Sequence, residues 1–170
     1  KPVTIETITE YPYQNSFTYK ISNPNGAIFK IKIRKPAWAY EIVCNEKYSI
    51  ENDFIVFNRP FDKKDKIDLE FKAKIQIKED LNKEIYLSYG ALFFARPIDS
   101  IEMKGKSYIP GFTDLMYQPK EYNRYQMLEE NQATYKEGQI NMKARNQATN
   151  QIENITLVPL GKTILRQASF

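Results

Sequence analysis

The stretch "KIDLEFKAKIQIK", residues 66–78, places an apolar residue at every second position. Ile67, Leu69, Phe71, Ala73, Ile75 and Ile77 alternate with Asp68, Glu70, Lys72, Lys74 and Gln76. Successive side chains of an extended strand point to opposite faces, so a period of two describes a strand with one buried face and one wet one. A helix would instead space its apolar residues three and four apart. The same alternation recurs in Phe17, Tyr19 and Ile21, in Phe29, Ile31 and Ile33, and across residues 54–57.

Turn chemistry separates these runs. "SNPNGA" at 22–27 holds Asn-Pro and Asn-Gly, the second a strong hairpin signal, and predicts antiparallel pairing of strands 17–21 and 28–34. "IRKPAW" ends a strand at Pro36, whose nitrogen has no hydrogen to donate, and "EIVCNEKYSI" reads as a hairpin turning at Asn45-Glu46. "YGALFFARPI", residues 89–98, reads as one central strand covered on both faces, with Gly90 at a bulge or close backbone approach and Arg96-Pro97 ending the ladder. Residues 99–135 show no sustained alternation and read as a loop-rich insertion. Ile140, Met142 and Ala144 alternate again, and "NITLVPLGKTILRQASF" follows, so these two segments supply the last strands. Short strands spaced by turns, in a chain that is 14% aromatic, predict an all-β antiparallel sandwich of jelly-roll type with a long loop or insertion. At 170 residues a single domain over 1–170 is expected.

Composition removes whole classes of chemistry. The chain has 25 Lys and Arg against 21 Asp and Glu, interleaved and not striped, so no nucleic-acid partner is expected. It has no His, which excludes Ser-His-Asp, Cys-His and His-metal sites. Cys44 is the one cysteine; a nucleophilic thiolate needs a base or a cationic pocket, and "IVCN" reads instead as a small buried apolar position. No catalytic residue, metal site or cofactor is expected. No apolar run approaches the roughly 18 residues that a helical membrane span requires. A cysteine-poor chain fits a bacterial periplasmic or extracellular setting.

Three passages together carry a resemblance. "IRKPAWAYEIVCNEK" resembles an Arg-x-Pro-x-Trp…Val-Asn-Gly-Lys element, "YGALFFARPI" an Arg-Gly-Pro-Leu-Val-Tyr-Ala strand, and "ITLVPLGKTILRQASF" a Leu-Val-Pro-Tyr-Gly…Leu-Arg…Phe closing segment. All three resemble the C-terminal β-sandwich region of bacterial proteins like glycoside hydrolase family 127, the β-L-arabinofuranosidase relatives. "FNRPFDKKDKIDLEF" is similar to the family's Arg-x-Trp-x-x-Gly-Asp-x-Ile-x-Leu-x-Phe pattern, with Phe61 in the Trp place and Lys64 in the Gly place. Tyr89, Ala91 and Glu46 stand where the family has Arg, Pro and Gly. The likeness runs over residues 17–98 and 152–170. It implies that catalysis belongs to an (α/α)6 barrel lying N-terminal to this region, with a Cys nucleophile, a zinc thiolate site and a Glu that this chain lacks. It therefore implies a non-catalytic accessory domain of a glycoside hydrolase acting on plant-type or arabinose-containing glycans. Its partner would be the parent's barrel, and an opening directly into the strand pattern "KPVTIETIT" agrees with a piece of a longer chain.

The remaining candidates concern sugar contact. Glycosidase chemistry needs two carboxyl groups about 5–10 Å apart; Glu102, Glu129 and Glu130 read as solvated acids. Trp38, just after Pro36, reads as a corner residue, with a sugar-stacking platform as the alternative. In the Tyr-rich stretch, Tyr117, Tyr122, Arg124 and Tyr125 are the candidate carbohydrate-binding residues for an oligosaccharide, since loops on a rigid scaffold commonly carry binding. Anchoring the stretch to its own scaffold, or docking it on the barrel, explains the same residues. The function reading thus has an alternative: an autonomous carbohydrate-binding module or a surface interaction domain.

Overall fold

The computed structural model describes residues 2–130 and 132–170. They form antiparallel strands and one short 3-10 turn at Leu160–Lys162, so the all-β expectation holds. The chain divides into two compact units, Lys1–Lys74 and Ile75–Phe170. Each has its own hydrophobic core.

Unit 1 contains β1 (Thr4–Thr9), β2 (Ser16–Ser22), β3 (Ile31–Arg34), β4 (Glu41–Cys44), β5 (Ser49–Glu51), β6 (Phe54–Phe57) and β7 (Lys64–Lys72). One sheet runs β1-β2-β7-β4 and the other β3-β6-β5. The alternation of the opening stretch explains the packing, because Ile67, Leu69 and Phe71 all enter one core. Register puts like against like: Tyr19 lies opposite Ile67, Phe17 opposite Leu69 and Ile42 opposite Phe71. Ile31, Ile55 and Phe57 of the second sheet close the same core, which makes unit 1 a sandwich.

Both hairpins expected in unit 1 are absent, since β2 pairs with β1 and β7 while β3 pairs with β6. The reason is Asn23, fully buried, whose side-chain amide donates to the Ala27 and Phe61 carbonyls at 3.0 Å each and accepts from the Ala27 N–H at 2.8 Å. It converts the Asn-Gly turn into a crossover between the two sheets. Gly26, at φ +64°, takes the left-handed position this loop needs. Asn45 acts similarly on the next connection: its side-chain oxygen accepts from the Asp68 N–H at 2.8 Å, pinning the end of β4 to β7. The chain then moves to the other sheet, where β5 pairs with β6.

The alternation through Ile77 is not one strand. β7 ends at Lys72 and β8 (Ile75–Glu79) begins unit 2. β9 (Ile85–Tyr89) and β10 (Leu92–Ile98) follow, then β11 (Ser100–Ile109), β12 (Phe112–Pro119), β13 (Tyr125–Met127), β14 (Thr134–Lys136), β15 (Gln139–Asn146), β16 (Ile152–Pro159) and β17 (Leu165–Gln167). The main sheet runs β13-β15-β16-β10-β9-β8, with β14 on β15 and β17 on β10. Its core gathers Leu87, Phe94, Tyr125, Ile140, Met142 and Leu157. β15 and β16, both expected as strands from the sequence, pair antiparallel.

"YGALFFARPI" is a hairpin and not a single strand. Tyr89 pairs with Leu92 across Gly90-Ala91, and Gly90 at φ +60° supplies the positive φ that a two-residue II′-type turn requires at its first position. Phe94 is buried, while Phe93 on the opposite face is 52% exposed and meets the Tyr86 ring edge-on. One face thus stays largely wet at the start of β10. Nor does Arg96-Pro97 end the ladder, since pairing with β17 continues through Ile98. Residues 100–119, expected as loop, form the two-stranded ribbon β11–β12. Its side chains are mostly exposed on both faces, which removes the apolar–polar contrast that marks a strand in sequence.

Candidate functional site

In unit 2, a cavity of about 370 Å³ is lined by Glu84, Glu121, Tyr122, Arg124, Arg166 and Gln167, among others. Its wall is built by strand register, because β17 lies antiparallel to β10 with Gln167 opposite Arg96. The Gln167 amide then fastens the preceding loop: its Nε2 donates to the Tyr125 carbonyl at 2.5 Å and to the Ser169 carbonyl at 2.8 Å, and its Oε1 accepts from the Tyr125 N–H at 3.0 Å. The residues just before Tyr125, which include Tyr122 and Arg124, are thereby fixed against the sheet. The Arg124 carbonyl is held as well, accepting from the Gln147 N–H at 2.8 Å.

Beside the cavity lies a buried polar chain. Arg96, 8% exposed, forms an ion pair with Glu121, and its guanidinium carbon lies 4.5 Å from the centre of the Tyr125 ring. The Tyr125 hydroxyl donates to Glu153 at 2.7 Å, and the other Glu153 oxygen accepts from the Asn146 side chain at 3.0 Å. Burial, followed by the neighbouring Glu153, pushes the Tyr125 hydroxyl above its ordinary pKa. A guanidinium is buried at tolerable cost only when paired, yet Arg96 Nη1 is buried without a partner.

The structure separates the four sequence candidates. Tyr122, 77% exposed, and Arg124 line the cavity together. Tyr125 is 6% exposed and is committed to Arg96 and Glu153. Tyr117 stands on the ribbon, where its hydroxyl donates to Glu102 at 3.1 Å and is raised in pKa chiefly by that bond. Sequence reasoning missed Arg96, Glu121, Arg166 and Gln167. Only Arg96 carried a signal, as a charge set inside the apolar run "LFFARPI".

The remaining candidates behave as framework. Trp38 meets Phe71 edge-on at 6.0 Å and packs on the core of unit 1, as a corner residue does. Burial pushes the Cys44 thiol above its ordinary pKa, which disfavours its thiolate form. Among the described residues no three His, Cys, Asp or Glu side chains cluster as metal ligands. Among the described residues no helix is long and apolar enough to cross a membrane. A second groove of about 590 Å³ lies over β15 and β16, lined by Asn141, Lys143, Asn154 and Thr156, among others, with no aromatic ring.

Comparison with known proteins bears on the fold. Residues 1–73 match the family model described as the β-L-arabinofuranosidase, GH127 middle domain. The resemblance read from the sequence is thus borne out, with the matched element the family's middle domain. Three solved structures share the fold. One, described as Ara127N-Se, a GH127 β-L-arabinofuranosidase from Geobacillus stearothermophilus T6, is 13% identical with a TM-score of 0.57, covering 92% of this chain and 28% of its own. A second, the GH127 β-arabinofuranosidase BT3674, is 12% identical with a TM-score of 0.54, covering 92% and 29%. The third, described as a glycoside hydrolase, is 14% identical with a TM-score of 0.57, covering 96% and 31%. The chain therefore spans less than a third of the length of these structures. No curated protein matches the sequence.

Proposed function

From a chain whose residues 1–73 match the GH127 middle domain, we infer a non-catalytic accessory region of a larger glycoside hydrolase, packed against a catalytic barrel supplied by the rest of the parent chain. The observation that carries this reading is coverage. The likeness extends over 92–96% of this chain but only 28–31% of the matched structures, two of which are named as arabinofuranosidases. Both β units thus correspond to a minor share of those proteins. The raised thiol of Cys44 and the complete lack of His agree with chemistry placed elsewhere. Within the region, the cavity holding Tyr122 and Arg124 is the surface that contacts glycan. The substrate of the parent would be an arabinose-containing or plant-type glycan.

The test compares the 170-residue chain with a version extended through the upstream gene sequence. The short chain should leave a chromogenic arabinofuranoside intact while the extended one hydrolyses it. Turnover by the short chain at a rate near that of the extended one would overturn the proposal.

A further inference from the structure

We infer that the cavity at the β10–β17 junction of unit 2 is a subsite for a carboxylated sugar residue, a uronate. The inference rests on the reading that this surface contacts glycan and adds the charge of the ligand. Arg124 and Arg166 line the cavity together, and neither forms an ion pair among the described residues. Arg166 is steadied by one bond, Nη1 to the Thr163 carbonyl at 3.3 Å, which leaves the rest of its guanidinium uncommitted. Glu121, one of the two lining acids, is neutralised by the buried Arg96. Arg96 in turn keeps Nη1 without a hydrogen-bond partner beside the cavity.

A planar guanidinium pairs with a carboxylate through two parallel N–H···O bonds, which is why arginine suits this anion. Tyr122, largely exposed, adds a ring face for the apolar C–H side of a sugar. The lining therefore offers both halves of a uronate: a cation for the carboxylate and a ring for the pyranose. Glu84, the other lining acid, forms no ion pair among the described residues, so it opposes an anion there.

Calorimetric titration of the 170-residue chain decides the matter, with galacturonate trisaccharide, its methyl ester and monomeric galacturonate as probes. The acid trisaccharide should bind on the order of tenfold more tightly than the ester, the worth of about one charge-assisted contact. Arg124→Gln and Arg166→Gln should each remove most of that preference, weakening the acid more than the ester. Glu84→Gln should tighten the acid by about twofold to threefold. Raising the salt should weaken the acid alone. Monomer binding comparable to that of the trisaccharide assigns the site to a free uronate, and a trisaccharide preference assigns it to a residue within a chain. Equal affinity for acid and ester, or unaltered preference in both arginine variants, overturns the uronate assignment and leaves the accessory reading standing. No heat with any probe also overturns it, whereas the accessory reading fails only if the short chain hydrolyses glycoside.

Discussion

Unit 1 and unit 2 each tuck an arginine beside an aromatic ring, and they complete the arrangement differently. In unit 1 the Arg59 guanidinium lies 4.6 Å from the Phe61 ring centre and grips Asp65 with two bonds, at 2.6 and 3.0 Å. Its Nη1 also reaches the Pro60 carbonyl at 2.9 Å, and its Nε, which makes no hydrogen bond, lies 3.4 Å from Glu46, within ion-pair reach. In unit 2 Arg96 lies over Tyr125 at nearly the same distance, is more deeply buried, and holds one acid while a nitrogen goes unpartnered. Arg59 and Asp65 stand in the Arg-x-Trp-x-x-Gly-Asp pattern, and the geometry gives that pattern a physical purpose. It clamps the charged turn between β6 and β7 and places Phe61 in the core, stacked on Phe29 at 4.8 Å. Each guanidinium thus leaves one nitrogen without a hydrogen bond, but that of Arg59 still faces a second acid, whereas Arg96 has one acid beside a cavity, where a ligand finds unspent hydrogen-bonding capacity.

The contrast can be broken most forcibly in unit 1. Arg59→Ala should cost about 2–3 kcal/mol by urea denaturation, because Asp65 is left largely buried without its cation. A smaller loss, about 1–2 kcal/mol, is expected for Glu121→Ala in unit 2, which strands the Arg96 charge but lets water approach the partly exposed site. The double change Arg96→Met with Glu121→Leu should recover most of that loss, since replacing an imperfect ion pair by apolar packing is often neutral. Failure of that recovery would make Arg96 framework like Arg59 and erase the difference between the units.

Titration sharpens the same comparison. The Arg59 bonds hold the Asp65 carboxyl below its ordinary pKa. A depressed folded pKa means that the stabilisation is complete above the unfolded value of about 3.9 and is lost as pH falls through the folded one. The acid limb of the stability curve should therefore flatten in Asp65→Asn, a smaller effect than removal of the arginine. Smallest of all is Tyr117→Phe on the ribbon, which should leave the denaturation midpoint unmoved because its bond to Glu102 lies in solvent.

Strands with one wet face were readable from the sequence, as Phe17 to Ile21 and Ile67 to Phe71 demonstrate. Their partners were not. The Asn-Gly signal is local, and nothing in residues 22–27 reveals that the Asn23 amide will bond to Phe61, 38 residues away. The ribbon escaped notice for the opposite reason, since a strand wet on both faces has no period to detect. Of the site, Tyr122 and Arg124 were found by composition, as aromatics and a cation in a polar stretch. Gln167 acts from 42 residues beyond the Tyr125 backbone it holds, a separation that only the β10–β17 pairing closes.

The uninterrupted alternation through Ala73 and Lys74 has a consequence for modular inheritance. Every strand pairing of β1–β7 is made within that set, and the family match ends at residue 73, one position from the end of unit 1. A genetic crossover falling between β7 and β8 would exchange everything downstream without severing a single ladder bond of the sandwich. It would also preserve the in-out phase of the chain as it leaves. The seam is thus hidden from a periodicity reading and open to recombination for one and the same reason.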